Sequence, residues 1–347
     1  MGFEYMDFLK QVAESVAPSG NEKEVLDIWS NNISGYVSDI YRTPINNTVA
    51  VKYGTCTNKK KIMLAAHADE IGLIITYIDN DGFLYFDEIG GIDTNLLPGR
   101  IVAIRGLNGI VKGIIGAKPI HLQERSNTET CFSPKNLWID IHVKNKEEAL
   151  KFVQIGCVAT LISEFSVSGS RYIGKAMDNR CSMAVLLSVA ECLHNVNVDN
   201  DVYFVATVQE EIRARGAQTV AFDINPDICI VIDVTHATDY PSMSLVKDGD
   251  IRLGKGVVIA LGPNMDSSIS QKLIFTACDK NINYQLEAFA KPTGTDANTI
   301  QITKNGIPVG LVSIPCRYMH SPVEIIDEED LKMSAKLLTE FILALNE

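Results

Sequence analysis

The spacing of apolar positions changes character three times along this chain. Residues 6–34 carry apolar side chains at helical spacing, interrupted at Ser19-Gly20-Asn21. That pattern predicts two helices, the second starting near Glu22. Residues 61–66, KIMLAA, form a short continuous apolar run, as a buried strand does. From about Gly72 to Phe165 the texture is β-rich, in the stretches LIITYI, GFLYFDEI, RIVAIRG, GIVKGIIG and LWIDIHV. Asn-Asp-Gly, Gly-Gly, Leu-Asn-Gly and Lys-Pro punctuate them, which predicts a small barrel or sandwich. After Gly174 the texture reverts. Residues 179–195 read as a helix, and 201–208, 228–234 and 308–314 as buried strands. A long amphipathic helix follows at about 328–345, with Asp327 as its N-cap. Alternating strands and helices predict an α/β fold, a central mixed sheet flanked by helices. The expected division is one domain from residues 1–72 and 166–347, and an inserted all-β barrel from 73–165. No internal repeat is visible.

Composition narrows the function classes. The chain has 347 residues, 46% of them hydrophobic, which is enough for a sizeable core. A formal net charge of −12 repels nucleic-acid phosphates and anionic lipid, so neither nucleic acid nor membrane is an expected partner. No stretch reaches the roughly 18 apolar residues of a membrane span, and the N-terminus lacks the pattern of a signal peptide. The eight cysteines are scattered without a CxxC pair, which predicts free thiols and a cytoplasmic location.

Ligands in open α/β sheets gather at the carboxyl ends of the strands. His67, Asp69 and Glu70 follow the 61–66 run, and Glu210 and Glu211 follow 201–208. Asp233 falls near the end of 228–234. His320 lies beyond 308–314, across a turn containing Pro315, and Asp178 precedes the helix at 179. Singly, each has an ordinary structural explanation: a packed histidine, a helix cap, a solvated turn. Asp233 is the hardest to explain so, because a carboxylate on an apolar strand is costly to bury without a partner. Together, these positions form a constellation at one sheet edge.

The spacing also makes chemical sense. Asp69 lies two residues after His67, on the same face of an extended segment. Its carboxylate can accept the far N–H of the imidazole and fix the tautomer. Glu210 and Glu211 are adjacent, so one can hold a metal while the other stays free to carry a proton. Two histidines and three carboxylates suffice for two ions sharing one carboxylate, typically about 3.5–4 Å apart. Mixed N/O donors suit zinc first, with cobalt and manganese as alternatives, at two divalent ions per subunit.

Several longer motifs stand in order along the chain. They are AHADEIG (66–72), KAMDNR (175–180), VQEE (208–211), DVTHA (233–237), GTDA (294–297) and RYMHSPVE (317–324). With GGID (90–93) and KPIHL (118–122) inside the insert, they resemble the tetrahedral-aminopeptidase and glutamyl-aminopeptidase family of co-catalytic metallopeptidases. The resemblance implies that Asp178 bridges two metals. His67 and Asp233 would complete one site, Glu211 and His320 the other. Glu210 would be the general base and Asp69 would orient His67. It also implies peptide substrates, a barrel used for dimerisation, and a homododecamer built from dimers.

Departures from the family pattern are Arg213, where a glycine is usual, Ser182, where a glycine turn is usual, and Cys157, where an acidic residue is common. His121 is expected to pack, and His236 remains open. Residues 123–130 (QERSNTET) are expected to form a loop near the site. The expected activity is release of N-terminal residues from peptides. The alternatives are a deacylase or other amidohydrolase on a non-peptide substrate, and an endoglucanase-type glycosidase. The last needs two free carboxyls and a sugar platform, and only Trp29 and Trp138 are tryptophans.

Overall fold

The computed structural model describes residues 5–122 and 133–345. An eight-stranded sheet forms its centre. In spatial order the strands are Asp39–Arg42, Thr48–Lys52, Asp201–Thr207, Lys61–His67, Ile228–His236, Val309–Cys316, Val257–Leu261 and Tyr284–Ala288. The four from Asp201–Thr207 to Val309–Cys316 run parallel, and the strand adjoining them on either side, Thr48–Lys52 or Val257–Leu261, runs antiparallel to them. Parallel strands are covered on both faces, so they read as continuous apolar runs. That is why KIMLAA shows no alternation.

Alternate residues of each central strand serve two different cores. Leu64, Phe204, Ile230 and Val312 face the helices Met6–Glu14, Lys23–Ile33, Met177–Leu193, Ser267–Asp279 and Glu328–Leu343. Met63, Val205, Val231 and Leu311 face Arg215–Ile224 and Asp296–Gln301. Trp29 is fully buried in the larger core and donates its indole N–H to the carbonyl of Met183, 3.3 Å away.

A six-stranded antiparallel barrel lies between the two halves of the sheet in sequence. Its ring order is Gly72–Ile78, Leu84–Ile89, Trp138–Asp140, Gly109–Gly116, Ile101–Gly106 and Val158–Leu161. Leu73 and Ile74 pair with Ala159 and Val158, which closes the ring. Leu73, Val102, Ile104, Ile115 and Ile139 fill the interior. At Gly113 a Cβ would stand 2.5 Å from the Ile139 side chain, so only glycine fits there.

The expected helices within 6–34 are present as Met6–Glu14 and Lys23–Ile33. One expectation needs correction. Pro315 lies not in a turn but inside the strand Val309–Cys316, opposite Thr235. The neighbouring strand Val257–Leu261 pairs only with Val312 and Ser313, so the sheet is locally open beyond them and tolerates a residue without an N–H.

Asp327 caps the C-terminal helix as expected. Its carboxylate accepts from the Glu329 amide at 2.8 Å and the Ser170 hydroxyl at 2.7 Å, and lies 2.9 Å from the Arg171 guanidinium. Asp327→Ala is expected to cost about 1–2 kcal/mol in chemical denaturation, and Asp327→Asn less. An unchanged midpoint for Asp327→Ala would remove the cap from the account.

Candidate metal centre

The parallel register gathers the chemistry at one edge. His67, the last residue of its strand, pairs with Thr207, the last residue of the next. The chain leaving Thr207 therefore reaches Glu210 and Glu211 beside His67. Asp233 lies two residues past the Val231–Ala65 pair, level with His67 on the other side. His320 follows four residues after Cys316. Asp178 is the second residue of Met177–Leu193, where it and Asn179 depart from helical φ/ψ. It is not an N-cap; its carboxylate is directed at the sheet edge.

Asp178 stands between the two histidines. Its Oδ1 is 3.0 Å from His67 Nε2, and its Oδ2 is 3.3 Å from His320 Nε2. Asp233 Oδ1 is 3.6 Å and Glu210 Oε2 4.0 Å from His67 Nε2. Glu211 Oε2 is 3.3 Å from His320 Nε2. Donor atoms of His67, Asp178 and Asp233 all lie within 4.8 Å of one another, as do those of Asp178, Glu211 and His320. Glu210 falls in a third such group with His67 and Glu211, beside both.

Backbone carbonyls orient both imidazoles. His67 Nδ1 is 3.2 Å from the Asp69 carbonyl oxygen, and His320 Nδ1 is 2.7 Å from that of Gly91. A carbonyl oxygen only accepts, so each Nδ1–H donates there and each Nε2 faces the cluster. Asp69 thus meets His67 through its main chain; its carboxylate stands farther off, at 3.6 Å. That carboxylate accepts instead from the amides of Glu210 and Glu211, at 3.0 and 3.1 Å, and from the Ser19 hydroxyl at 2.6 Å. Gly90 has a φ of +77°, and a Cβ there would lie 3.2 Å from Glu211. The barrel therefore reaches the centre through its Gly90-Gly91 turn.

Burial sets the electrostatics. It pushes the Glu210 carboxyl well above its ordinary range, with Asp233, Asp296 and Glu211 adding to the rise. Burial likewise raises Glu211 and Asp233. It would lower His67 and His320, but the surrounding carboxylates outweigh it and raise both, His320 to about 11. Burial would raise Asp178, yet the two imidazoles hold it well below the usual carboxylate range. So many anions in so small a buried volume are stable only when protonated or neutralised by cations. Oxygen donors from Asp178, Glu211 and Asp233 and two oriented imidazoles, with Asp178 facing both histidines, fit a pair of divalent ions.

Other residues support the cluster; the sequence marked Glu70 at the strand end, while the rest lay inside the motifs without an assigned role. Glu324, buried, accepts from the amides of Asp178 at 3.0 Å and His320 at 2.9 Å, and burial lifts its carboxyl to about 8. Its only signal was an acidic residue four positions after His320. Glu70 meets the Lys175 ammonium at 2.6 Å and the Arg180 guanidinium at 3.4 Å. Arg180, fully buried, also donates to the carbonyls of Val12 and Ala17, tying the N-terminal segment to the floor of the centre. Asp296 accepts from the Thr207 hydroxyl at 2.5 Å, and burial lifts it to about 7.

The structure brings His67, Asp69, Asp178, Glu210, Glu211, Asp233 and His320 together. A cleft of about 490 Å³ opens over them. His121 is exposed rather than packed, and the exposed His236 joins none of the donor groups among the described residues. Cys157 packs against the barrel core. Ser182 is buried within the helix, so no glycine turn occurs there. The expected loop at 123–130 lies outside the described residues.

Known proteins share this arrangement of chain and sheet. Residues 46–337 match the family described as M42 glutamyl aminopeptidase. A putative aminopeptidase of Acetivibrio thermocellus is 38% identical over 339 residues, covering 97% of this chain and 98% of that one. The structure of an aminopeptidase from the archaeon Desulfurococcus kamchatkensis superposes with a TM-score of 0.91 at 36% identity, covering 98% and 94% of the two chains. The TET1 peptidase of Pyrococcus horikoshii, described as assembling into a tetrahedron or a large octahedral shell, gives 0.87 at 30% identity over 98% and 99%. The chain belongs to the M42 glutamyl aminopeptidase family of peptidases.

Proposed function

We propose that this protein is a metal-dependent aminopeptidase using a pair of divalent ions, zinc foremost and cobalt or manganese as alternatives. The observation that carries this reading is Asp178, whose two oxygens face two separate histidines. His67 and Asp233 would hold one ion, Glu211 and His320 the other, and Asp178 both. Bound there, the ions would supply a water of lowered pKa and an electrophile for the scissile carbonyl.

The protein's own groups do the rest. Glu210 takes the proton of the attacking water and returns it to the leaving amine. Asp69 holds the amides of Glu210 and Glu211, so the base and its neighbouring ligand are fixed by one carboxylate. The likeness to aminopeptidases over nearly the whole chain favours an N-terminal over an internal bond. A glycosidase would need two uncommitted carboxyls flanking a sugar, and in this assignment only Glu210 is uncommitted.

We also propose self-association into dimers and then a dodecamer. The barrel exposes Ile101, Ile110 and Ile155, at 48%, 52% and 61% of their surface, and the Pyrococcus relative is described as assembling into a tetrahedron or a large octahedral shell. No disulfide joins the described cysteines, and no described helix is long and apolar enough to cross a membrane. We place the protein in the cytoplasm on that basis.

Glu210→Gln is expected to retain two ions per chain by elemental analysis and to lose turnover on the order of 10²-fold or more. Full activity in that variant would refute the base assignment. Asp178→Ala should bind fewer than two ions per chain and lose cleavage of aminoacyl anilides. Unmodified metal content would mean that Asp178 is not shared. For the wild type, chelation should abolish cleavage of free-amine anilides, zinc or cobalt should restore it, and N-acetylated anilides should resist throughout. Cleavage of the acetylated substrates would favour the deacylase alternative.

A further inference from the structure

One charged residue of the cleft has no part in the mechanism above. Arg213 lines it together with His67, Glu210 and His320. Apart from the two imidazoles it is the one cationic side chain among the described lining residues. It is exposed, and its guanidinium makes no hydrogen bond or ion pair with another described residue.

Its backbone adds a second observation. Arg213 has a φ of +85°, and Gln209 and Ala214 in the same turn are also at positive φ, +58° and +50°. That region favours glycine, so a long side chain is held there at a conformational cost. The turn itself is anchored, since the Arg213 amide donates to the Glu210 carbonyl at 2.9 Å. The guanidinium thus projects from a fixed point close to the base.

Charge balance gives the third. In the proposed function the lining carboxylates of Asp178, Glu210, Glu211 and Asp233 are matched by two divalent ions. The charge on Arg213 then stands unbalanced on the wall. Thr293, Thr295, Asn298 and Thr299 line the same cleft with neutral hydrogen-bonding groups, so no other charge there competes for a substrate anion.

We propose that Arg213 binds a carboxylate of the substrate, away from the scissile bond. The proposal rests on the aminopeptidase reading. That carboxylate has two sources: the side chain of an N-terminal aspartate or glutamate, or the α-carboxylate of a short peptide. Both are planar anions suited to a two-pronged guanidinium contact.

The test compares metal-loaded wild type, Arg213→Gly and Arg213→Lys on two matched substrate pairs. Glu-p-nitroanilide against Gln-p-nitroanilide isolates the side chain. Leu-Gly against Leu-glycinamide isolates the terminal carboxylate. In one pair, Arg213→Gly should lower the carboxylate-to-amide ratio of kcat/KM by about fivefold or more, through KM. Arg213→Lys should keep part of it, and added salt should shrink the wild-type preference. Glycine suits the backbone at this position, and a thermal melt of each variant shows that it is folded. The pair that responds identifies the source. Unchanged ratios in both pairs, with wild-type cleavage intact, overturn the proposal alone. No wild-type cleavage of any of the four substrates overturns the aminopeptidase reading, and the proposal falls with it.

Discussion

Everything at the sheet edge depends on keeping several carboxylates together out of water. Asp178, Glu210, Glu211 and Asp233 have side chains that are nearly inaccessible, and they crowd around two imidazoles. Isolated buried charges of one sign cost several kcal/mol each, so the arrangement stands only when some carboxyls are protonated or cations compensate them. A fold that wanted stability alone would place aliphatic residues there. The fold instead surrounds the cluster with parts that hold each anion in place.

Those parts come from widely separated stretches of chain. Glu324 ties the amides before Asp178 and His320 to one carboxylate, and Asp69 does the same for Glu210 and Glu211. The Glu70, Lys175 and Arg180 group seals the floor against the N-terminal segment. The barrel contributes the Gly91 carbonyl that orients His320. Strain collects in the same loops: Ala176, Gln209, Tyr318 and His320 are non-glycine residues at positive φ. Such conformations persist where the surroundings over-determine them, and here the surrounding hydrogen bonds do so.

Much of this was legible in the sequence, for a physical reason. The four parallel strands are buried on both faces, so they appear as unbroken apolar runs, and their last residues mark the ligand edge. Those four were read correctly to within a few residues. The flanking strands Asp39–Arg42, Thr48–Lys52, Val257–Leu261 and Tyr284–Ala288 were not seen. Two of them are only partly buried, and such short segments carry too little pattern. The candidate ligand positions were legible because charged residues at strand ends are conspicuous. Supporting residues were less so. Glu324 looks like an ordinary surface glutamate until the fold places it against Asp178. Asp69 does lie beside His67, but its carboxylate turns to the backbone of Glu210 and Glu211, a contact with Glu210 across 141 residues that no local spacing encodes.

The central claim is that two ions share Asp178. Anomalous diffraction from crystals of the zinc- or cobalt-loaded protein tests it directly. The account predicts two peaks per chain, each about 2.0–2.2 Å from one histidine Nε2 and one Asp178 oxygen. A single peak, or a pair in which Asp178 touches only one ion, would contradict it.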